Sequence, residues 1–358
     1  VQWCHWMGKM GHDITLVTPD RAGGMDVHEY YQLSTKTFTH VILPTWDALT
    51  YKWLPQRVSY VFQRLTFLRS LKTWAKGQSA DVWYTRSTVM IRALHRLVRG
   101  AWALEVHDDP TTNAERWRRV QGIITLYIAI SEGLKSKLER SGVKTDHILV
   151  AHDGVDIEAV DNAFSMGWRE RLSIPKDDGL FVYTGSLYPW KGVDMVVKHW
   201  VKMPADAHLV IVGGGKEDQK RLRGLASTAA PHIHFLSHLP RNDVFSLLKE
   251  ADVGVLPTSD VYTIGREYTS PLKMFEYLAA GIPILARDVP SSREILTGQV
   301  ARFFKDESSL KDAVVWIMEH EPWRADAAKL ARSLASRYTW EARARAIATA
   351  LQHSLSSS

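Results

Sequence analysis

Lys273 and Glu276 are the two residues of this chain whose spacing suggests a ligand site. They lie in the stretch Thr269-Ser-Pro-Leu-Lys-Met-Phe-Glu-Tyr-Leu-Ala-Ala-Gly-Ile-Pro-Ile-Leu-Ala286. Lys273 falls in the first turn of an expected helix, where the helix dipole disfavours a cation. Glu276 follows three residues later, on the same flank. A bound anion would account for the lysine, because free N–H groups, the dipole and the ammonium would all face it. A hydroxyl-rich group one turn along would suit the carboxylate. Phosphate followed by ribose is a nucleotide. The competing reading is a solvated Lys–Glu pair on an ordinary surface helix.

The elements that must hold this pair are well punctuated. Ser270 reads as the N-cap and Pro271 as the first helical residue. Gly281 ends the helix and Pro283 forbids its continuation. Leu272, Phe275, Leu278 and Ala279 recur at helical spacing and predict a core face. Ile282 to Ala286 reads as a short buried strand. A second candidate turn, Thr184-Gly-Ser-Leu-Tyr-Pro-Trp-Lys-Gly-Val-Asp194, follows an apolar strand and precedes a helix. Gly185 there permits close backbone approach, and Lys191 could reach a phosphate. The Gly213-Gly-Gly-Lys216 run also follows a strand, and serves equally as an anion loop or a flexible turn.

The totals set limits. The 358 residues are enough for two domains with full cores. Apolar and charged fractions of 45% and 23% are those of a soluble globular protein. A net charge of +6 favours anionic partners: nucleotide, lipid head group or nucleic acid. The single cysteine, Cys4, excludes an intrachain disulfide and a cysteine-rich metal site. No uncharged apolar run reaches membrane-spanning length, and no signal peptide is visible. The opening residues, Val1 to Asp13, read as a helix already in progress that ends at Gly8 or Gly11. An α/β domain starts with a strand and tight loop before such a helix, so a fragment or a short-called reading frame is expected.

Strands are expected at Ile14–Thr18, His40–Leu43, Val82–Thr85, Ala103–His107, Gly122–Ile130 and His147–Val150, with helical patterns between them. After a bridge at Gly154 to Lys176 come Leu180–Thr184, Ala207–Val212, Ile233–Leu236, Val253–Leu256 and Ile282–Ala286. The alternation argues for doubly wound parallel sheets in two α/β domains, 1–160 and 165–335. Residues 336–358 are expected to form a helix that packs back on the first domain, plus a tail. The segment 52–80 has six basic residues (Lys52, Arg57, Arg64, Arg69, Lys72, Lys76), no acidic one, and many apolar ones. A basic amphipathic helix can lie on an anionic membrane. The preferred reading is a core-facing helix with a solvated basic back.

In order along the chain, these stretches resemble glycosyltransferase family 4, of the GT-B fold. The Gly-Ser-Leu…Trp-Lys-Gly turn, the His208-Leu-Val-Ile-Val-Gly-Gly-Gly strand, the Ala251-Asp-Val-Gly-Val-Leu-Pro257 strand and the Ser-Pro-Leu-Lys…Phe-Glu-Tyr-Leu-Ala-Ala-Gly helix look like its nucleotide-sugar half. Tyr84-Thr-Arg-Ser87, Glu105-Val-His-Asp108, Ala129-Ile-Ser-Glu132 and Asp153-Gly-Val-Asp156 look like the other half. The resemblance covers nearly the whole chain. It implies two Rossmann-like domains facing a cleft, and a retaining, metal-independent transfer of sugar from a nucleotide-diphospho-sugar to an acceptor hydroxyl.

The resemblance implies roles for single residues. Lys191 would hold the diphosphate, with Gly185 and Ser186 lining the loop. Glu276 would accept from ribose hydroxyls, and Leu272 and Lys273 would offer helix-start amides. His107 would face the donor sugar, and His238 would lie beside the base. His107, Lys191 and Glu276 form the expected catalytic set. Glu267 and Ser270 complete the donor side. Arg86 and Asp108 are acceptor-side candidates, with a structural ion pair preferred. Asp109-Pro110 reads as a turn signal. Three departures stand out: Ser186 replaces a basic residue, Tyr268 replaces the first glutamate of a paired motif with Glu267 one place off, and the first strand is missing. No cofactor, metal or nucleic acid is expected. The acceptor is left as glycan, lipid or small molecule, and the setting as the cytoplasm, with membrane contact through 52–80 as a candidate. Alternatives are a nucleotide-sugar isomerase, which would need further cleft carboxylates, and a disabled binding protein.

Overall fold

The computed structural model describes residues 1–21, 26–31, 33, 35–46, 55–226 and 232–356. The chain divides into two compact units. One comprises Val1–Ile130, Leu134–Ala151 and Trp340–Ser358; the other comprises Ser131–Gly133 and His152–Thr339.

The second unit is built on six parallel strands: β7 (Gly179–Thr184), β8 (Ala207–Val212), β9 (Ile233–Leu236), β10 (Val253–Leu256), β11 (Ile284–Arg287) and β12 (Ala301–Phe304). Their order is β12-β11-β10-β7-β8-β9. From β7 the chain winds outward to β9, then returns to β10 and winds the other way. The crevice at the carboxyl ends of β7 and β10 is therefore the switch point where doubly wound sheets bind ligands. These strands are apolar runs because helices cover both faces. Phe181, Val182, Leu209, Val210, Ile211, Ile284 and Leu285 have no exposed surface.

The Leu272–Ala280 helix lies close on β10. A Cβ on Gly254 would fall 2.4 Å from the Tyr277 ring, so only glycine admits that contact. The Tyr277 hydroxyl accepts from the Thr184 N–H at 3.1 Å, which fixes the helix against the end of β7. β12 is an addition to the expected strand set. It spans four residues, one of them Arg302, and gains strand character through pairing with β11. β11 starts two residues later than expected, at Ile284.

The first unit holds a parallel pair, β1 (Thr15–Pro19) with β2 (Thr39–Leu43), and a parallel sheet in the order β3 (Val82–Thr85), β4 (Ala101–Val106), β5 (Leu126–Ala129), β6 (Ile148–Val150). The chain opens with a helix, Gln2–Lys9. The Trp340–Ser356 helix packs in this unit: Ile347 and Leu351 share a core with Ala103, Leu126, Ile128 and Ala151.

The Gln56–Ala75 helix departs from its expected orientation. Val58, Tyr60, Val61, Phe62 and Leu65 are exposed, while Ser59 and Gln63 are buried. Arg57, Arg64, Arg69 and Lys72 are also exposed. The apolar stripe of its first half thus faces outward, and Leu71 and Ala75 join the interior only in its second half. Lys52, Trp53 and Leu54 lie outside the described residues. No helix among the described residues is long and apolar enough to cross a membrane.

Candidate active site

The site forms where β7 ends. Gly185 takes φ +127° and donates its N–H to the Val212 carbonyl at 2.9 Å. A Cβ on Gly213 would fall 2.5 Å from the Gly185 carbonyl oxygen, so the loops after β7 and β8 touch backbone to backbone. Tyr183, the penultimate residue of β7, is 1% exposed and donates its hydroxyl proton to the Ser186 carbonyl at 2.6 Å. Pro189–Lys191 forms a short 3-10 turn, and Gly192, at φ +76°, caps the Val193–Trp200 helix. A Cβ on Gly192 would sit 2.0 Å from the Pro257 carbonyl oxygen, which locks this loop to the end of β10.

Lys273 enters the site from the helix after β10. Its Nζ stands 3.6 Å from the centroid of the Tyr183 ring and 3.2 Å from where a Gly185 Cβ would be. Lys191 Nζ lies 3.7 Å from the centroid of the Trp190 ring. Both ammonium groups therefore rest on aromatic faces. Among the described residues neither has a carboxylate or hydrogen-bond partner. Lys273 is 7% exposed. Burial, and then the charge of Lys191, hold its pKa well below the usual lysine value, while Glu276 pulls it up. Burial lowers Lys191 to about 8. Burial raises the Glu276 carboxyl against the pull of Arg241 and Lys273. Two poorly solvated cations and a carboxylate thus share one electrostatic neighbourhood without pairing directly, an arrangement that an anion with adjoining hydroxyls would complete.

Arg241, whose charge pulls on Glu276, is a further cation beside this group. It opens the Arg241–Glu250 helix directly after Pro240. A cation in a first helical turn is the same signal that singled out Lys273.

The other donor-side candidates are placed differently. The helix N-cap is Pro271, not Ser270, and no side chain caps it. The Ser270 hydroxyl instead accepts from the Asp153 N–H at 3.1 Å, an alternative partner that draws it away from the helix start. Leu272 is 47% exposed, because as the first helical residue it stands beyond the core that buries Phe275, Leu278 and Ala279. Glu267 ends the Thr263–Glu267 helix, and its Oε1 accepts from Arg266 at 2.6 and 3.2 Å. Ser186 is half-buried, and His238 is exposed in the loop between β9 and the Arg241 helix.

Arg86, His107 and Asp108 belong to the first unit. At the end of β4, Glu105 is 2% exposed and holds Arg86 at 2.7 Å, His107 Nε2 at 2.6 Å, Arg343 at 2.8 Å and the Tyr84 hydroxyl. Burial pushes its carboxyl up, but the His107 hydrogen bond and the Arg343 and Arg86 charges outweigh it and hold it well below the carboxylate range. Asp108 is exposed. Asp109 caps the turn at Pro110–Asn113, accepting from the Thr111 N–H at 2.8 Å, and pairs with Lys137 at 2.6 Å.

Comparison with known proteins bears on the fold and the enzyme class. Residues 166–334 match the family described as Glycosyl transferases group 1. The chain is 25% identical over 355 residues to a phosphatidyl-myo-inositol mannosyltransferase of Mycolicibacterium smegmatis, spanning 93% of this chain and 86% of the relative. It is 26% identical over 296 residues to a D-inositol 3-phosphate glycosyltransferase of Xylanimonas cellulosilytica, spanning 76% and 69%. In structure it is similar to sucrose-phosphate synthase from Thermosynechococcus elongatus, with TM-score 0.80 at 16% identity over 100% of this chain and 92% of the other. It is also similar to Anabaena HepE in complex with UDP and glucose, with TM-score 0.73 at 16% identity over 94% and 91%. With a match to the Glycosyl transferases group 1 family over residues 166–334, glycosyltransferases among its relatives and the GT-B fold of its structural neighbours, this chain is a glycosyltransferase.

Proposed function

We propose that the enzyme transfers a sugar from a nucleotide-diphospho-sugar to an acceptor hydroxyl, with retention at the anomeric carbon. The observation that carries this is the pair of ammonium groups, Lys191 and Lys273, set on aromatic rings without an anionic partner among the described residues. The second unit is the donor-side domain and the first is the acceptor side. The diphosphate takes Lys191, Lys273 and the helix-start amides of Leu272 and Lys273, with Gly185 and Ser186 lining the loop. The ribose hydroxyls donate to Glu276. His238 lies toward the base, and His107 serves the donor sugar.

Breaking the bond between the anomeric carbon and the diphosphate oxygen leaves negative charge on phosphate and positive charge on the sugar. Lys191, Lys273 and the helix dipole stabilise the growing negative charge, so they bind the transition state more tightly than the ground state. The acceptor oxygen attacks from the face the diphosphate leaves, and its proton passes to a phosphate oxygen. No metal or cofactor enters this proposed step.

HepE's complex with UDP and glucose supports a nucleotide-sugar donor, and the mannosyltransferase relative supports sugar transfer. Calorimetric titration with UDP, GDP and ADP, followed by NMR of the anomeric proton of the product, tests the reading. No binding of any of the three, or a product of inverted configuration, overturns it.

A second element of the proposal is peripheral attachment to an anionic membrane through residues 52–80. The outward apolar stripe of the Gln56–Ala75 helix, flanked by exposed arginines and no acid, supports it.

A further inference from the structure

Glu105 is a buried carboxylate whose two oxygens are filled. Oε1 takes Arg86 at 2.7 Å and His107 Nε2 at 2.6 Å, and Oε2 takes Arg343 at 2.8 Å and the Tyr84 hydroxyl. An ionised carboxylate only accepts, and these four contacts use its lone-pair sites. Arg343 is itself 3% exposed and also donates to the Ala151 carbonyl at 2.5 Å, so the carboxylate is fastened from β3, from the residues that follow β3 and β4, and from the C-terminal helix. His107, two residues beyond Glu105, shares its side of the strand direction and is 31% exposed. Arg86 and Arg343 already balance its charge. The imidazole is the ring that this fixed group orients.

We infer that Glu105 is a positioning residue, which through its 2.6 Å contact holds the His107 ring with Nε2 protonated and leaves Nδ1 as the nitrogen that meets a ligand. A carboxylate cannot donate, so the proton of this hydrogen bond belongs to Nε2. In the neutral ring Nδ1 is then a bare acceptor, suited to a hydroxyl of a bound sugar. The inference rests on the proposal that His107 serves the donor sugar.

The test is long-range proton–nitrogen NMR of protein labelled at histidine nitrogen, at a pH where the ring is neutral. The His107 signal is the one missing from His107→Gln. In the unaltered protein His107 is expected as the Nε2–H tautomer. Glu105→Gln is expected to mix the tautomers and to lower kcat by about tenfold to a hundredfold, with KM for the donor little changed. The kinetics use whichever of the UDP-, GDP- and ADP-sugars turns over. An Nδ1–H ring in the unaltered protein overturns the inference, even if Glu105→Gln does not fold. A folded Glu105→Gln enzyme with full kcat also overturns it. Unaltered transfer by His107→Gln would instead remove His107 from the reaction, while the tautomer still reports whether Glu105 holds its ring.

Discussion

Lys273 Nζ lies 3.6 Å from the centroid of the Tyr183 ring, and Tyr183, the penultimate residue of the strand that ends at Thr184, is almost wholly buried. The helix after β10 thus delivers its cation onto the last residues of β7, across the switch point of the sheet. A quadrupole attracts an ammonium without neutralising it, so the positive charge stays available.

Removing either ammonium should weaken diphosphate binding. Lys191→Ala and Lys273→Met are each expected to cost about 1.5–3 kcal/mol of nucleoside diphosphate affinity, the worth of a charge-assisted hydrogen bond. Lys273→Met should also leave thermal stability unchanged or raised, because it removes a buried cation. Calorimetry and a melting curve measure both. Unchanged affinity would take that lysine out of the site.

Binding should depend on pH with a definite sign. Burial leaves the Lys191 ammonium with a pKa of about 8 in the free protein. A bound diphosphate favours the charged form, so binding raises that pKa and takes up protons. Affinity should fall as pH rises through about 8. Titrations in buffers of different ionisation enthalpy read the uptake directly, and proton release would contradict the assignment.

Glu276→Gln separates the ribose from the phosphates. Nucleoside diphosphate affinity should drop about tenfold, because a charged acceptor is lost to the ribose hydroxyls. Inorganic pyrophosphate should bind as well as before, or better, beside the two lysines. A protein that melts early on this substitution would mark Glu276 as structural.

Gly185→Ala tests the loop. At φ +127° a side chain is strained, and its Cβ would press within 3.2 Å of Lys273 Nζ. A loss of about 1–3 kcal/mol of stability is expected, together with weaker nucleotide binding. Gly215→Ala, where the nearest atom to the added Cβ is 3.7 Å away, should be mild on both counts.

Sedimentation with vesicles tests the outward stripe of the Gln56–Ala75 helix. Phosphatidylglycerol vesicles should retain the protein and phosphatidylcholine vesicles should not. Phe62→Ser with Leu65→Ser should cut retention about tenfold or more, since burying each of these side chains is worth roughly 1.5–3 kcal/mol. Equal retention of the altered protein would assign the stripe another partner.

Local signals in the sequence set the elements and much of the loop chemistry. Periodicity marks β3, β8, β9 and β10 with the bounds the structure shows. Gly185, Gly192 and Gly281 all take positive φ at turns the sequence punctuates. Lys273 is conspicuous because a cation in a first helical turn is a local anomaly. Tertiary structure decided the rest. β12 exists through its partner β11. The Ser270 hydroxyl left the helix start for an N–H 117 residues away. The stripe on the Gln56–Ala75 helix is legible as apolar, yet its outward direction depends on what the helix packs against. Arg343 reaches Glu105 across 238 residues of sequence. Periodicity and caps act over three or four residues, and so they are written in the chain. Strand order, the burial of a charge and the partner of a carboxylate depend on which distant segments meet, and folding alone brings those together.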